Sequence, residues 1–423
     1  MTDLQQSRQS AGINRSIAPS IARILEPIVG GELPVRLTAW DGSSAGPEGA
    51  PEVQLNSANA LRRLLWSPGE LGASQAYVTG ELDVSGPLED ALNHVWTVVG
   101  ERGLSMPSLR PQLAFQLGRL ARDLGVLRGP LPAPRSQARI TGKLHSLLRD
   151  RAAISHHYDL SNDFYELILD RHMAYSCAYW RSDDPDYTLE DAQRDKLDLV
   201  CRKIGLDTLP NQRFLDVGCG WGSLSLYAAE HFGAKVTGVT ISREQKAFID
   251  RRIAERKLQD RVEIRLQDYR DVTDGPYDAV ASLEMGEHVG ESNYGVYAST
   301  LFRNVRPGGS VLIQQMSRHG KHPGGGPFIE SFIAPDMHMR PVGDTVNLVE
   351  AAGFEIRGVE AMREHYVRTI DAWLARFEGN WERAVEMMGE EVARVWRLYL
   401  VGAKLTFRGG RMGVDQILVR RPE

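Results

Sequence analysis

Between Phe214 and Gly222 a short apolar run ends in an acid, Asp216, and three glycines follow at alternate positions, Gly218, Gly220 and Gly222. Glycine lets a backbone turn sharply and lets a ligand lie against it with no Cβ in the way. Apolar residues resume at Leu224 and Leu226, so the string predicts a strand, a tight turn and a helix. Such a turn is common in α/β proteins and says little alone. Polar residues after three further apolar runs say more. Thr240, Ile241 and Ser242 follow Lys235–Val239, Gln267 and Asp268 follow Val262–Leu266, and Glu284 follows Tyr277–Leu283. Open α/β sheets bind ligands at the carboxyl ends of their strands. No GxxxxGK[ST] string occurs, and GCGWG lacks the spacing of a dinucleotide loop. A second group of reactive side chains precedes the first strand: His156, His157, Tyr158, Tyr165, Tyr175, Ser176, Cys177 and Trp180. Core packing alone does not call for so many Tyr and His, although a lone histidine is more often structural than catalytic. Glu287 and His288 add an acid and an imidazole beyond the fourth strand.

Seven strands are needed to hold these groups at one edge. They are expected to end at Asp216 and to span Lys235–Val239, Val262–Leu266, Tyr277–Leu283, Ser310–Met316, Phe354–Val359 and Gly413–Val419. An amphipathic helix, Leu189–Arg202, feeds the first strand, and Pro307–Gly309 turns into the fifth. His319–Pro327, rich in glycine, is a candidate lid. Between the last two strands, Ala372–Phe407 is mostly helical and carries Trp373, Phe377, Trp381, Trp396 and Tyr399. That content suits core, and it also suits the wall of a groove for an acyl chain. Upstream, helices are expected at Ile21–Val29, Ala58–Trp66, Pro68–Thr79 and Leu113–Leu127, and strands at Leu33–Trp40 and Val53–Leu55. Tyr77–Gly86 resembles a strand pair of sterol-carrier-like lipid-binding modules. The Pro/Gly-rich Gly129–Arg135 separates a smaller N-terminal α+β domain, residues 1–128, from the rest through a basic linker at 129–150.

The chain has 423 residues and a net charge of −5, long enough for more than one core and unsuited overall to nucleic acid. Its three cysteines, Cys177, Cys201 and Cys219, show no metal or disulfide spacing, which suits a reducing cytoplasm. There is no signal-peptide pattern and no apolar run of about 18 residues, so no membrane span is expected. Between Glu101 and Arg151 ten Lys/Arg stand against three acids. They form either a solvated face or a surface for anionic phospholipid, where each basic residue contributes about 1 kcal/mol.

DVGCGWG resembles the first motif of class I S-adenosylmethionine-dependent methyltransferases. HYDLSNDFY, YSCAYW, AQRDKL, GVTIS, QDYRD, EHVG, FIAP, HYVRTI and WRLYLVGAKLTFRGG accompany it in order over roughly residues 154–420. As a set they resemble the cyclopropane-fatty-acid synthase family, including its mycolic-acid-modifying branch. The resemblance implies an α/β fold with a Rossmann-like seven-stranded sheet and helical insertions over 151–423. It implies methyl transfer to a cis double bond of an unsaturated phospholipid acyl chain, through a carbocation that aromatic faces stabilise. It places the cofactor against Tyr175, Ser176, Asp216, Gly218, Gly220, Thr240, Ile241, Gln245, Gln267 and Asp268. It also implies a bicarbonate ion as base, for which Cys177, Glu287 and Tyr399 match, with His288 in the same string as Glu287. Gln314 stands where the family's LLHTI has histidine, and Gly286 where an aromatic residue precedes the glutamate. Both departures favour a methylene-branched product, the first step towards tuberculostearic-type acids, over the cyclopropane. A cyclopropane synthase proper and a non-catalytic lipid-binding protein are the alternatives. A cytoplasmic protein peripheral to the inner face of the plasma membrane, a reductase partner and a homodimer are compatible with this resemblance.

Overall fold

Ile17, Ala18, Ile21, Ala22 and Ile24 fall on one side of a helix, so α1 spans Ile17–Leu25 and starts earlier than the apolar run from Ile21 suggests. Its first amides are held from outside: Ile17 N donates to Asp41 Oδ2 and Ala18 N to Ser43 Oγ, both at 2.9 Å. These are two of the donors that a helix start leaves unpaired. A computed structural model describes residues 16–103, 111–138, 162–319 and 324–423. The expectations for His156, His157, part of the basic linker and the middle of the candidate lid fall outside these residues. The chain divides into two compact units, Met1–Arg135 and Ser136–Glu423.

In the first unit, β1 (Arg36–Ala39), β2 (Ser44–Ala45), β3 (Glu52–Leu55) and β4 (Leu82–Ser85) form a sheet of order β2-β1-β3-β4, with only β1 and β3 parallel. Helices α2 (Ala58–Trp66), α3 (Glu70–Val78), α4 (Leu88–Glu101) and α5 (Pro111–Asp123) complete it. Only one strand comes from Tyr77–Gly86. Tyr77 and Val78 are buried in the last turn of α3, and Gly80, at φ 70°, swings the chain into β4. The Gly129 and Pro132 carbonyls accept from Arg62 and Arg63 of α2, which fastens the Pro/Gly-rich stretch to this unit.

The second unit is a seven-stranded sheet of order β10-β11-β9-β8-β5-β6-β7. Its strands are β5 (Arg213–Val217), β6 (Lys235–Thr240), β7 (Val262–Leu266), β8 (Tyr277–Leu283), β9 (Val305–Arg318), β10 (Glu355–Ala361) and β11 (Met412–Arg420). All neighbours are parallel except β11, which runs antiparallel to both β9 and β10. β9 outruns the expected Ser310–Met316 because β11 pairs with it as far as Arg318, and β8 pairs with it at Val305. Helices α6 (Asn162–Ile168), α7 (Leu189–Lys203), α8 (Ser223–Phe232), α9 (Arg243–Glu255), α10 (Tyr294–Asn304), α11 (Pro327–Phe332) and α12 (Val342–Ala351) follow in chain order around the strands. A capping box of Thr188 and Asp191 starts α7. Between β10 and β11 the helical insert divides into α13 (Arg363–Gly379), α14 (Trp381–Met388) and α15 (Glu390–Arg408). One core cluster runs through Phe214, Leu226, Val236, Ile264 and Leu312, and another through Leu215, Val217, Val280, Ile313 and Ile417. Alternate residues of one strand thus enter different layers, as the pleat requires.

Candidate active site

β5 delivers Asp216, and the three glycines that follow all have positive φ, 76°, 54° and 81°. A Cβ on Gly218 would meet Met285 Cγ at 2.9 Å, and one on Gly222 would meet Ile249 Cγ2 at 2.9 Å. Those two glycines serve packing as well as the turn. Gly220 differs, because a Cβ there has no atom within 4 Å and points into the cavity the turn borders. Asp216 Oδ2 accepts from Ser225 Oγ at 2.6 Å, which ties the strand to α8. Burial pushes the Asp216 carboxyl up to about 6, against the opposing pull of Ser225 and Lys196.

The cavity brings together Tyr175, Ser176, Asp216, Gly218, Gly220, Thr240, Ile241, Gln245, Gln267 and Asp268, from four separate stretches of chain. Thr240 Oγ1 donates to Gln245 Oε1 at 2.8 Å, and Ser242 caps α9 through the Gln245 amide. The Arg270 fork holds both Asp268 oxygens, at 2.8 and 2.7 Å. Lys196 is wholly buried and donates to Ser176 Oγ at 2.7 Å. A hollow floored by Gly220 and rimmed by hydroxyl, amide and carboxylate groups fits S-adenosylmethionine, whose adenosyl and amino-acid ends need such partners. Gly220→Val is expected to abolish its binding in calorimetric titration while a circular-dichroism melt stays cooperative. Unchanged affinity in a folded variant would rule out the turn as the cofactor floor.

Beyond the cavity, β8 ends at Glu284, whose φ of 50° is strained for a non-glycine residue. It is one of the residues that line the cavity. Oε1 accepts from the Cys177 amide at 2.6 Å and from Gln314 Nε2 at 2.8 Å. Oε2 accepts from the Tyr366 hydroxyl at 2.7 Å. Burial raises the Glu284 carboxyl, while those three donors favour its charged form. Glu287, one turn further on, is fully buried, and neither of its oxygens has a hydrogen-bond partner among the described residues. Burial, then the neighbouring Glu284 charge, push its carboxyl up to about 8. The environments are unequal: three donors hold Glu284 as an acceptor, whereas Glu287, with none, keeps its proton at neutral pH.

The candidate catalytic residues divide accordingly. Cys177 contributes its amide to Glu284, whereas its thiol faces the carbonyls of Ala178 and Met362 and is pushed well up by burial. Gln314 bonds Glu284 directly. His288 lines the cavity and stays neutral, with burial lowering it to about 4. Tyr399 shares a 3.0 Å hydrogen bond with Tyr175. Bicarbonate does not fit here. Two donors that would hold an oxyanion, the Cys177 amide and Gln314 Nε2, are taken by Glu284, Tyr399 is paired with Tyr175, and a second anion beside the Glu284 carboxylate would be repelled. Gly286 is explained by Gln315, whose Oε1 would lie 2.0 Å from a Cβ at that position. Gln315 is itself fixed there, accepting from Tyr294 and donating to Thr345.

Sequence reading left Glu284 and Tyr366 without a role. The signal for Glu284 was its place at a strand end; Tyr366 was only one letter of HYVRTI. The wall around Tyr175 is aromatic. Its ring centre lies 5.3 Å from Trp373 and 5.6 Å from Tyr165, and Trp396 lies 4.8 Å from Phe164. Tyr366 packs against Phe407 at 4.7 Å and Trp373 at 5.9 Å.

Residues 145–417 match the family described as mycolic acid cyclopropane synthetase. The chain is 34% identical over 414 residues to "Probable fatty acid methyltransferase Rv3720" of Mycobacterium tuberculosis, covering 95% of each protein. It is 35% identical over 402 residues to a "Probable fatty acid methyltransferase" of Pseudomonas putida, covering 92% of each. Among solved structures, it is similar to mycolic acid cyclopropane synthase CmaA1 complexed with SAH and CTAB, with a TM-score of 0.60 and 31% identity. That likeness covers 64% of this chain and 98% of the other.

Proposed function

The chain belongs to the mycolic acid cyclopropane synthetase family, and from that premise we propose that it methylates a cis double bond in an unsaturated phospholipid acyl chain. It is an S-adenosylmethionine-dependent methyltransferase with the class I fold. When bound, S-adenosylmethionine supplies an electrophilic methyl group. The cavity residues hold that group beside the aromatic wall and exclude water. Exclusion matters because an alkene is a weak nucleophile and the cation formed would react with water at once. Attack by the π electrons leaves the positive charge on the adjacent chain carbon. The ring of Tyr175, which lines the cavity and is backed by Trp373 and Trp396, stabilises it without bonding to it.

Glu284 then removes a proton. The observation that carries this reading is a carboxylate at the cavity wall, held as an acceptor by Cys177, Gln314 and Tyr366. If the proton leaves the new methyl group, its C–H electrons close a cyclopropane. If a hydride shifts first and the methyl-bearing carbon becomes cationic, loss of a methyl proton gives an exocyclic-type methylene branch. We favour the branched product, which a reductase would saturate to a methyl branch. The site of action we propose is the cytoplasmic face of a membrane, to which the protein attaches peripherally. Phe115, Arg119 and Arg122, exposed together on α5, suit an anionic surface, and among the described residues no helix is long and apolar enough to cross one.

The test is direct. Purified protein, S-adenosylmethionine and vesicles of a cis-monounsaturated phospholipid should give an acyl chain heavier by one CH₂. Fragmentation at the former double bond distinguishes ring from branch. No mass gain, with S-adenosylmethionine bound, would overturn the reading.

A further inference from the structure

We propose that Lys203, acting through the side chains of Gln416 and Gln314, fixes Glu284 as a hydrogen-bond acceptor and so keeps it in the form that can take a proton. This rests on Glu284 being the base. The sheet lays the path. Glu360, Gln416 and Gln314 are direct cross-strand partners on β10, β11 and β9, and Leu283, the residue before Glu284, is the partner of Gln314 on β8. Residues paired in this way point to one face of a sheet. Lys203, the last residue of α7, reaches into that row.

The polarity of the row is set at its Lys203 end. An ammonium group can only donate. Lys203 Nζ therefore meets the carbonyl oxygen of Gln416, Oε1, at 2.7 Å, and Glu360 holds it from the other side. Gln416 is left with its Nε2 for the next residue and donates to Gln314 Oε1 at 2.9 Å. Gln314 is left with Nε2, which donates to Glu284 Oε1 at 2.8 Å and, more weakly, to the Cys177 carbonyl at 3.4 Å, which favours the same orientation. Turned the other way, both amides would present Gln314 Oε1 to Glu284. A carboxyl can satisfy an oxygen only by carrying the proton itself. The two arrangements thus correspond to an ionised and a protonated Glu284, and Lys203 selects the first. Gln416 and Gln314 are 1% and 0% exposed, so water cannot replace a misdirected amide.

Other charged or titratable groups face Glu284: Lys196 of α7, Glu287, Cys177, Tyr366 of α13 and Tyr399 of α15. None lies in the row, so a change at Lys203 leaves them in place. At its outer end Tyr179 adjoins Glu360.

The test is the pH profile of kcat for Lys203→Met, Lys203→Arg and Gln416→Met, with Glu284→Gln alongside. The Lys203 side chain is 20% exposed, so its replacement leaves no buried hole. Lys203→Met and Gln416→Met should move the acidic limb upward by roughly one pH unit, about tenfold in rate below the limb, with wild-type rate regained above it. Lys203→Arg should restore the limb, because guanidinium also only donates. An unmoved limb in Lys203→Met, or an equal loss at every pH, would overturn the proposal. If Glu284→Gln turns over like wild type, the base assignment itself falls and the row falls with it.

Discussion

Glu284→Gln should lower kcat by about 10²–10³-fold, the usual cost of removing one preorganised group, while S-adenosylhomocysteine binds almost as before. The side chain keeps its shape but loses its task. A carboxylate satisfies the Cys177 amide and Gln314 on one oxygen and Tyr366 on the other. A carboxamide can keep Cys177 and Gln314 on its oxygen and turn its NH₂ to the Tyr366 hydroxyl, which can also accept, but it leaves no basic atom to take a proton. Glu284→Gly separates chemistry from packing. It removes the strain of a positive φ and opens a space of carboxylate size lined by the same three donors. Formate or bicarbonate added to that variant should restore part of the rate in a saturable way, with no effect on wild type. Wild-type turnover by Glu284→Gln, or rescue of Glu284→Gly by neither anion, would remove Glu284 from the mechanism.

The strand ends were legible because their residues are local. An apolar run, a turn and a polar residue form a pattern that a single sequence displays, and β5 to β8 followed it. α1 was misplaced because Asp41 and Ser43, distant in sequence, capture its first amides. Tyr77 and Val78 carried two readings, the end of a helix over Pro68–Thr79 and the start of a strand pair, and their burial on α3 decides for the helix. Glu284 was opaque for a stronger reason. Its three donors stand 107, 30 and 82 residues away, and only the fold makes them neighbours. Gln314 read as a lost histidine when set against the family pattern. In the structure it is one of two aligned amides, and the second, Gln416, lies in a strand that no motif marks. Gly286 is comparable, since Gln315 Oε1, 29 residues on, occupies the space that any side chain there would need.

Glu287→Gln should have the opposite character: far less loss of turnover than Glu284→Gln, and a more stable protein. Glu287 lies outside the cavity, makes no hydrogen bond through its carboxyl among the described residues, and is the protonated member of the pair. A carboxamide is close in shape to a neutral carboxyl, so at neutral pH the substitution changes little at the site. Its effect on stability depends on pH. Unfolded, the carboxyl ionises near 4.5; folded, it holds its proton to about 8. The side chain's contribution is therefore whole below about pH 4.5 and is lost progressively as pH rises to about 8, by up to about 1.4 kcal/mol per unit. Glutamine has no proton to lose. The melting temperature of Glu287→Gln relative to wild type should therefore climb between about pH 5 and pH 8 and then level. Thermal melts at four pH values across that range, with kcat at neutral pH, decide the matter. A pH-independent difference would mean that Glu287 is ionised in the folded protein. A loss of rate as deep as that of Glu284→Gln would return Glu287 to the reaction, in the role the family resemblance implied.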